Sequence, residues 1–108
     1  MINYIEKQSK LLEKLANILF NTTDVEYDAL WCEYECDDEF NTIDTALFYK
    51  TDGKVVNFAA PVGVSSKNLD LCQELRAVMK AHTGGEWSSF TLTLGKDGKA
   101  HTKFEYPS

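Results

Sequence analysis

No apolar run in this 108-residue chain approaches the ~20 residues that a membrane-spanning helix requires. The opening Met1-Ile-Asn-Tyr-Ile-Glu-Lys has neither an apolar stretch nor a small-residue cleavage site, so no secretory signal is expected. Cysteine is scarce and odd in number: Cys32, Cys36 and Cys72. With no signal, that count predicts reduced thiols in the cytoplasm rather than a disulfide framework. Cys32 and Cys36 invite a pairing or a metal, but they lie in a segment that reads as a strand. Four residues along a strand span ~13 Å, and a disulfide needs Cα atoms closer than ~7 Å. They are expected to be small apolar side chains on one strand face. Basic residues are few, 11 against 17 acids, for a formal net charge of -6. No basic patch is present, so direct binding to nucleic acid or an anionic membrane is not expected.

What remains is ordinary globular composition, with 44% hydrophobic and 26% charged residues. The length suits one domain over residues 1–108 that buries roughly two thirds of its unfolded surface. Residues 3 to about 20 read as an amphipathic helix, with Ile5, Leu11, Leu12, Leu15, Ile18 and Leu19 on its apolar side. Val25 to Cys36 reads as a strand. Leu30, Cys32, Tyr34 and Cys36 share one face, and Tyr27, Ala29, Trp31, Glu33 and Glu35 share the other, which is placed toward solvent. Asp37-Asp-Glu-Phe-Asn is a turn, Thr42–Lys50 a second strand, and Asp52-Gly53 a tight hairpin into a third strand over Lys54–Ala60. Ser65 or Ser66 offers an N-cap for a helix running to about His82, striped by Leu71, Leu75, Val78 and Met79 and stopped by Gly84-Gly85. A second hairpin closes the chain around Gly95-Lys-Asp-Gly98. The predicted fold is α+β in the order α-β-β-β-α-β-β: an antiparallel sheet of about five strands with two helices on one face.

Catalytic and metal motifs are missing. His82 and His101 sit in no recognisable constellation, and Gly84-Gly85 follows a helix instead of opening one, so no phosphate loop is formed. Glu33 and Glu35 stand on a face placed in water, away from the desolvation a general acid needs. Asp37-Asp38-Glu39 with Asn41 lacks the spacing and glycine of a calcium loop. No enzyme activity, cofactor or metal is expected; carboxylates near His101 are the enzymatic rival.

The informative feature is charge placement. Leu15 through Tyr49 contains no Lys or Arg, yet holds nine of the 17 acids. One reading is a solvated acidic edge that discourages sheet-to-sheet pairing. The other is a docking surface for a basic partner, with Tyr27 and Trp31 as aromatic anchors and Glu33, Glu35, Asp37, Asp38 and Glu39 steering the encounter. A second candidate surface is the outer face of the last hairpin, with Trp87, Ser89, Thr91, Thr93, His101, Lys103 and Glu105.

Gly85-Glu-Trp-Ser-Ser-Phe-Thr-Leu-Thr-Leu94, then Gly98-Lys99, then Lys103-Phe-Glu-Tyr106 resembles the YezG-type immunity (antitoxin) family. There a Trp-Ser/Thr opens an alternating strand, a Gly-Lys turn follows, and the return strand ends in an aromatic-acid-Tyr element. The likeness covers about the last quarter of the chain, and Glu105 stands where an Asp is usual. The resemblance implies a small cytoplasmic bacterial protein that binds and blocks a secreted or contact-delivered toxin, often a nuclease. It carries over no catalytic residues. Its matching positions, Trp87, Phe90, Leu92, Phe104 and Tyr106, look like fold residues. The expected partner is a toxin domain with a basic surface, because a nuclease must neutralise phosphates. The alternative expectation is a small cytoplasmic ligand-binding or adaptor domain.

Overall fold

The computed structural model describes residues 3–39 and 41–107. Phe40, inside the predicted turn, lies outside the described residues. Two helices and five strands follow in the expected order: α1 (Tyr4–Phe20), β1 (Ala29–Asp37), β2 (Thr42–Thr51), β3 (Lys54–Phe58), α2 (Val64–Thr83), β4 (Ser89–Gly95) and β5 (Ala100–Glu105). The fold is α+β with a five-stranded antiparallel sheet. No helix among the described residues is long and apolar enough to cross a membrane.

Helix α1 begins where the Asn3 side chain accepts a hydrogen bond from the Glu6 amide at 3.0 Å, which satisfies one orphan donor of the first turn. Leu11, Leu15 and Leu19, one turn apart, form its buried stripe. Ile5 does not join them and is 65% exposed. It lies in the first turn of the helix, more than a turn before the first buried leucine. Strand β1 starts at Ala29, later than the sequence suggested. The Val25 amide donates to the Thr23 hydroxyl at 3.2 Å, a local turn that competes with the ladder. The Asp52–Gly53 loop has positive φ at both residues (50° and 77°), the geometry that two-residue hairpins need to match strand twist. Helix α2 is not capped by Ser65 or Ser66. Gly63, left-handed at φ 90°, occupies the N-cap without a side-chain bond, and both serines fall inside the first turn.

The strand order is β3-β2-β1-β4-β5, so β1 is central and α2 carries the chain from one edge across to the far side of β1. Both helices cover one face, and Leu30, Cys32, Tyr34, Leu47, Phe90, Leu92 and Leu94 point into the layer between. Tyr34 stacks on Phe90 with ring centroids 4.2 Å apart. Trp87 overturns an expectation. Alternation predicts the outer face of the last hairpin for it, yet it is fully buried, meeting Phe90 edge-on at 4.8 Å and lying against Phe104. Strand alternation begins only at Ser89. At Ser88 the parity breaks, because its carbonyl accepts from the Cys36 amide while its own amide donates to the Glu105 carbonyl. Trp87 therefore turns under the sheet.

Candidate docking face

The sheet face away from the helices carries no second layer among the described residues. Its side chains are set by pleat and register. One rung across β2, β1, β4 and β5 reads Asp44, Glu35, Ser89, Glu105. The next reads Ala46, Glu33, Thr91, Lys103, and the third reads Phe48, Trp31, Thr93, His101. Glu35 and Asp44 are thus directly opposed like charges, an arrangement that destabilises a sheet. Among the described residues no ion pair reaches Glu33, Glu35 or Asp44. Lys103 shares a rung with Glu33 but stands two strands away, about 10 Å laterally. Glu105 accepts a long hydrogen bond from the Ser89 hydroxyl at 3.5 Å.

Small residues make the acidic part concave. Ala46, Ser89 and Thr91 sit between the carboxylates, leaving an open recess of about 380 Å³ that Glu33, Glu35, Asp44 and Glu105 also line. Beside it, Trp31 and Phe48 stack nearly parallel, 5.5 Å between centroids and 14° between planes, both half-buried. The face therefore offers an apolar aromatic pair next to a carboxylate-rimmed depression.

Of the residues expected to bind a partner, Trp31, Glu33 and Glu35 come together here. The others do not. Tyr27 precedes β1 and packs against the core cluster instead of sharing the Trp31 face. It lines a separate cleft with Phe20, Asp28 and Lys96 at the hairpin end of the sheet. Asp37, Asp38 and Glu39 lie at the opposite end of β1, where the Asp37 carboxylate accepts from the Glu39 amide at 3.1 Å.

Asp38 is not an uncompensated charge. Arg76 of α2, the only arginine in the chain, grips it with Nη1 to Oδ1 at 2.5 Å and Nη2 to Oδ2 at 3.4 Å. The guanidinium also donates from Nε to the Trp87 carbonyl at 3.0 Å and lies 5.9 Å from the Trp87 ring centre. The hydrogen bond and charge of Arg76 hold the Asp38 carboxyl below its usual range. Glu86 is held low in the same way, chiefly by Lys80. This knot ties the β1–β2 turn to α2 and to the start of β4, on the helix side of the molecule.

Asp44, Phe48 and Glu105 complete the face and were not in the expected site. The alternation of β2 could have located the first two, since Asp44, Ala46 and Phe48 share parity. Glu105 belonged to the second candidate surface. Because β4 pairs with β1, the two surfaces are one continuous face, and the carboxylates of β1 and β5 meet across Ser89 and Thr91.

Cys32 and Cys72 are buried and Cys36 is half-buried, all as free thiols. Burial pushes the Cys32 thiol up to about 12 and raises the other two as well, so none is a ready nucleophile near neutral pH. His101 is exposed on β5, four residues along the strand from Glu105 and level with Trp31, so the two do not form a proton-transfer pair. No protein-family model and no curated protein matches the chain.

Proposed function

We propose that this chain is an immunity protein, a non-enzymatic inhibitor that works in the cytoplasm by capturing a toxin domain with a basic surface, a nuclease, on its open sheet face. The observation that carries this reading is the exposed face itself. Among the described residues Glu33, Glu35 and Asp44 have no ion-pair partner, and they stand beside the stacked Trp31–Phe48 pair. Holding Glu35 opposite Asp44 works against the sheet, and a cationic partner converts that repulsion into attraction. A half-buried aromatic pair beside the charges supplies the desolvated anchor that steering alone lacks. The resemblance of the terminal hairpin to the YezG-type immunity family supports the same class. A nuclease neutralises phosphates with a basic cleft, so carboxylates that fill or flank that cleft exclude the nucleic acid.

The test is to read the adjacent reading frame and, where it encodes a secreted protein with a variable C-terminal domain, to co-express that domain with this chain and measure their affinity. Charge reversal at Glu33, Glu35 and Asp44 together is expected to weaken capture by well over tenfold and to abolish neutralisation, with the thermal transition retained. Capture should also weaken steeply with added salt. Undiminished neutralisation by the triple variant would refute the assignment of this face.

A further inference from the structure

We propose, resting on the reading above, that the partner engages this face with an extended segment bearing arginines at alternate positions, their guanidinium groups lying among Glu33, Glu35 and Asp44 and against the Trp31–Phe48 pair. Charge selects a cation first. A second copy of this chain would bring the same four carboxylates of the recess face to face with their equals, and phosphate-bearing partners are repelled in the same way.

Geometry then selects arginine over lysine. Glu35 and Asp44 oppose each other on adjacent strands, so their carboxylates are close enough for one planar, forked cation to meet both. A guanidinium offers five donors in a fixed fork, while an ammonium is a compact point charge that keeps its water. Ala46 and Ser89 leave room at the floor of the recess for a head group to sit at the level of the carboxylates. Trp31 and Phe48 provide the flat π surface on which a guanidinium stacks and against which its aliphatic stem packs.

Spacing selects the segment. Trp31, Glu33 and Glu35 recur every second residue along β1, about 6.6 Å apart. An extended chain repeats its side chains on one face with the same period. Arginines at positions i and i+2 therefore meet successive rungs, whereas the one-turn spacing of a helix does not.

The experiment compares two peptides of equal charge, Arg-Ser-Arg-Ser-Arg and Lys-Ser-Lys-Ser-Lys, titrated into the intact protein at low ionic strength and followed by backbone amide shifts. The arginine peptide is expected to bind about two- to fivefold more tightly, with shifts concentrated on β1 and β2. Trp31→Thr should bring the two affinities together, Trp31→Phe should keep them apart, and Glu35→Gln should weaken both peptides. Native amide spectra of the variants show that each remains folded. Equal affinity of the two peptides for the unaltered protein, or an arginine preference that survives both Trp31→Thr and Phe48→Thr, would overturn the proposal. Failure of the unaltered protein to neutralise the toxin would sink the immunity reading and leave the peptide ratio where it is. A missing arginine preference would leave the neutralisation result where it is.

Discussion

If the open face is kept acidic for a partner's sake, then relieving its internal repulsion should stabilise the free protein and harm its function. Asp44→Lys is the sharpest perturbation, because it places a cation directly opposite Glu35. Directly opposed residues have Cβ atoms about 5 Å apart. Two unit charges ~6 Å apart in water interact by ~0.7 kcal/mol, so reversing one sign is worth up to ~1.4 kcal/mol at low ionic strength. At physiological salt the Debye length of about 8 Å roughly halves that figure. For a domain of this size the gain corresponds to a rise of about 3–6 °C in Tm at physiological salt. Exposed pairs often deliver less, and lysine differs from aspartate in strand propensity, so the charge component must be isolated. The assay is thermal unfolding of the parent, Asp44→Lys, Glu35→Lys and the double variant, at low and at high salt. Each single variant should gain stability at low salt and lose most of that gain at high salt. The double variant, with two opposed cations, should return towards the parent. A destabilised Asp44→Lys, or a gain indifferent to salt and kept in the double variant, would refute the reasoning that these two carboxylates repel.

Two further expectations concern the knot on the helix side. Trp87→Ala should cost about 3–5 kcal/mol in urea unfolding, since a fully buried indole leaves a cavity between Phe90 and Phe104. Trp87→Phe should cost less than half of that, because it keeps an edge-on ring and removes a buried indole N–H that has no hydrogen-bond partner among the described residues; equal losses in the two variants would contradict this. Asp38 has a lowered carboxyl pKa in the fold, so its contribution is complete above the usual 3.8 and is lost as pH falls below it. Asp38→Asn should therefore flatten the loss of stability on acidification in that range, measured by urea midpoints from pH 5 downward, and an unchanged slope would show that Arg76 does not act through this pair.

The elements were legible because their local signals are strong. Leucines one turn apart marked α1, alternation marked β4, and the Asp-Gly dipeptide marked the hairpin at residues 52 and 53. The strand order was not legible, because β1 and β4 are separated by some fifty residues and neither strand announces its partner. That single missing pairing split one face into two candidate surfaces. The burial of Trp87 is not legible in the alternation, because the pattern breaks at Ser88, where hydrogen bonds to both neighbours override the pleat. The pairing of Asp38 is equally illegible, because a cationic partner 38 residues downstream leaves no mark near it. That Trp31, Glu33 and Glu35 share one face of β1 was legible because period-two patterning suffices wherever a strand is regular.

The central place of β1 has a consequence for synthesis. Its first neighbour, β2, leaves the ribosome a few residues later, but its second neighbour arrives only after α2 has been made and has crossed the sheet. Until residues 89–95 emerge, the nascent chain presents an unsatisfied strand edge and half of the acidic depression. Truncation of the final hairpin is therefore expected to leave the β1 edge open to non-native pairing and to strip Ser89, Thr91 and Glu105 from the proposed docking face.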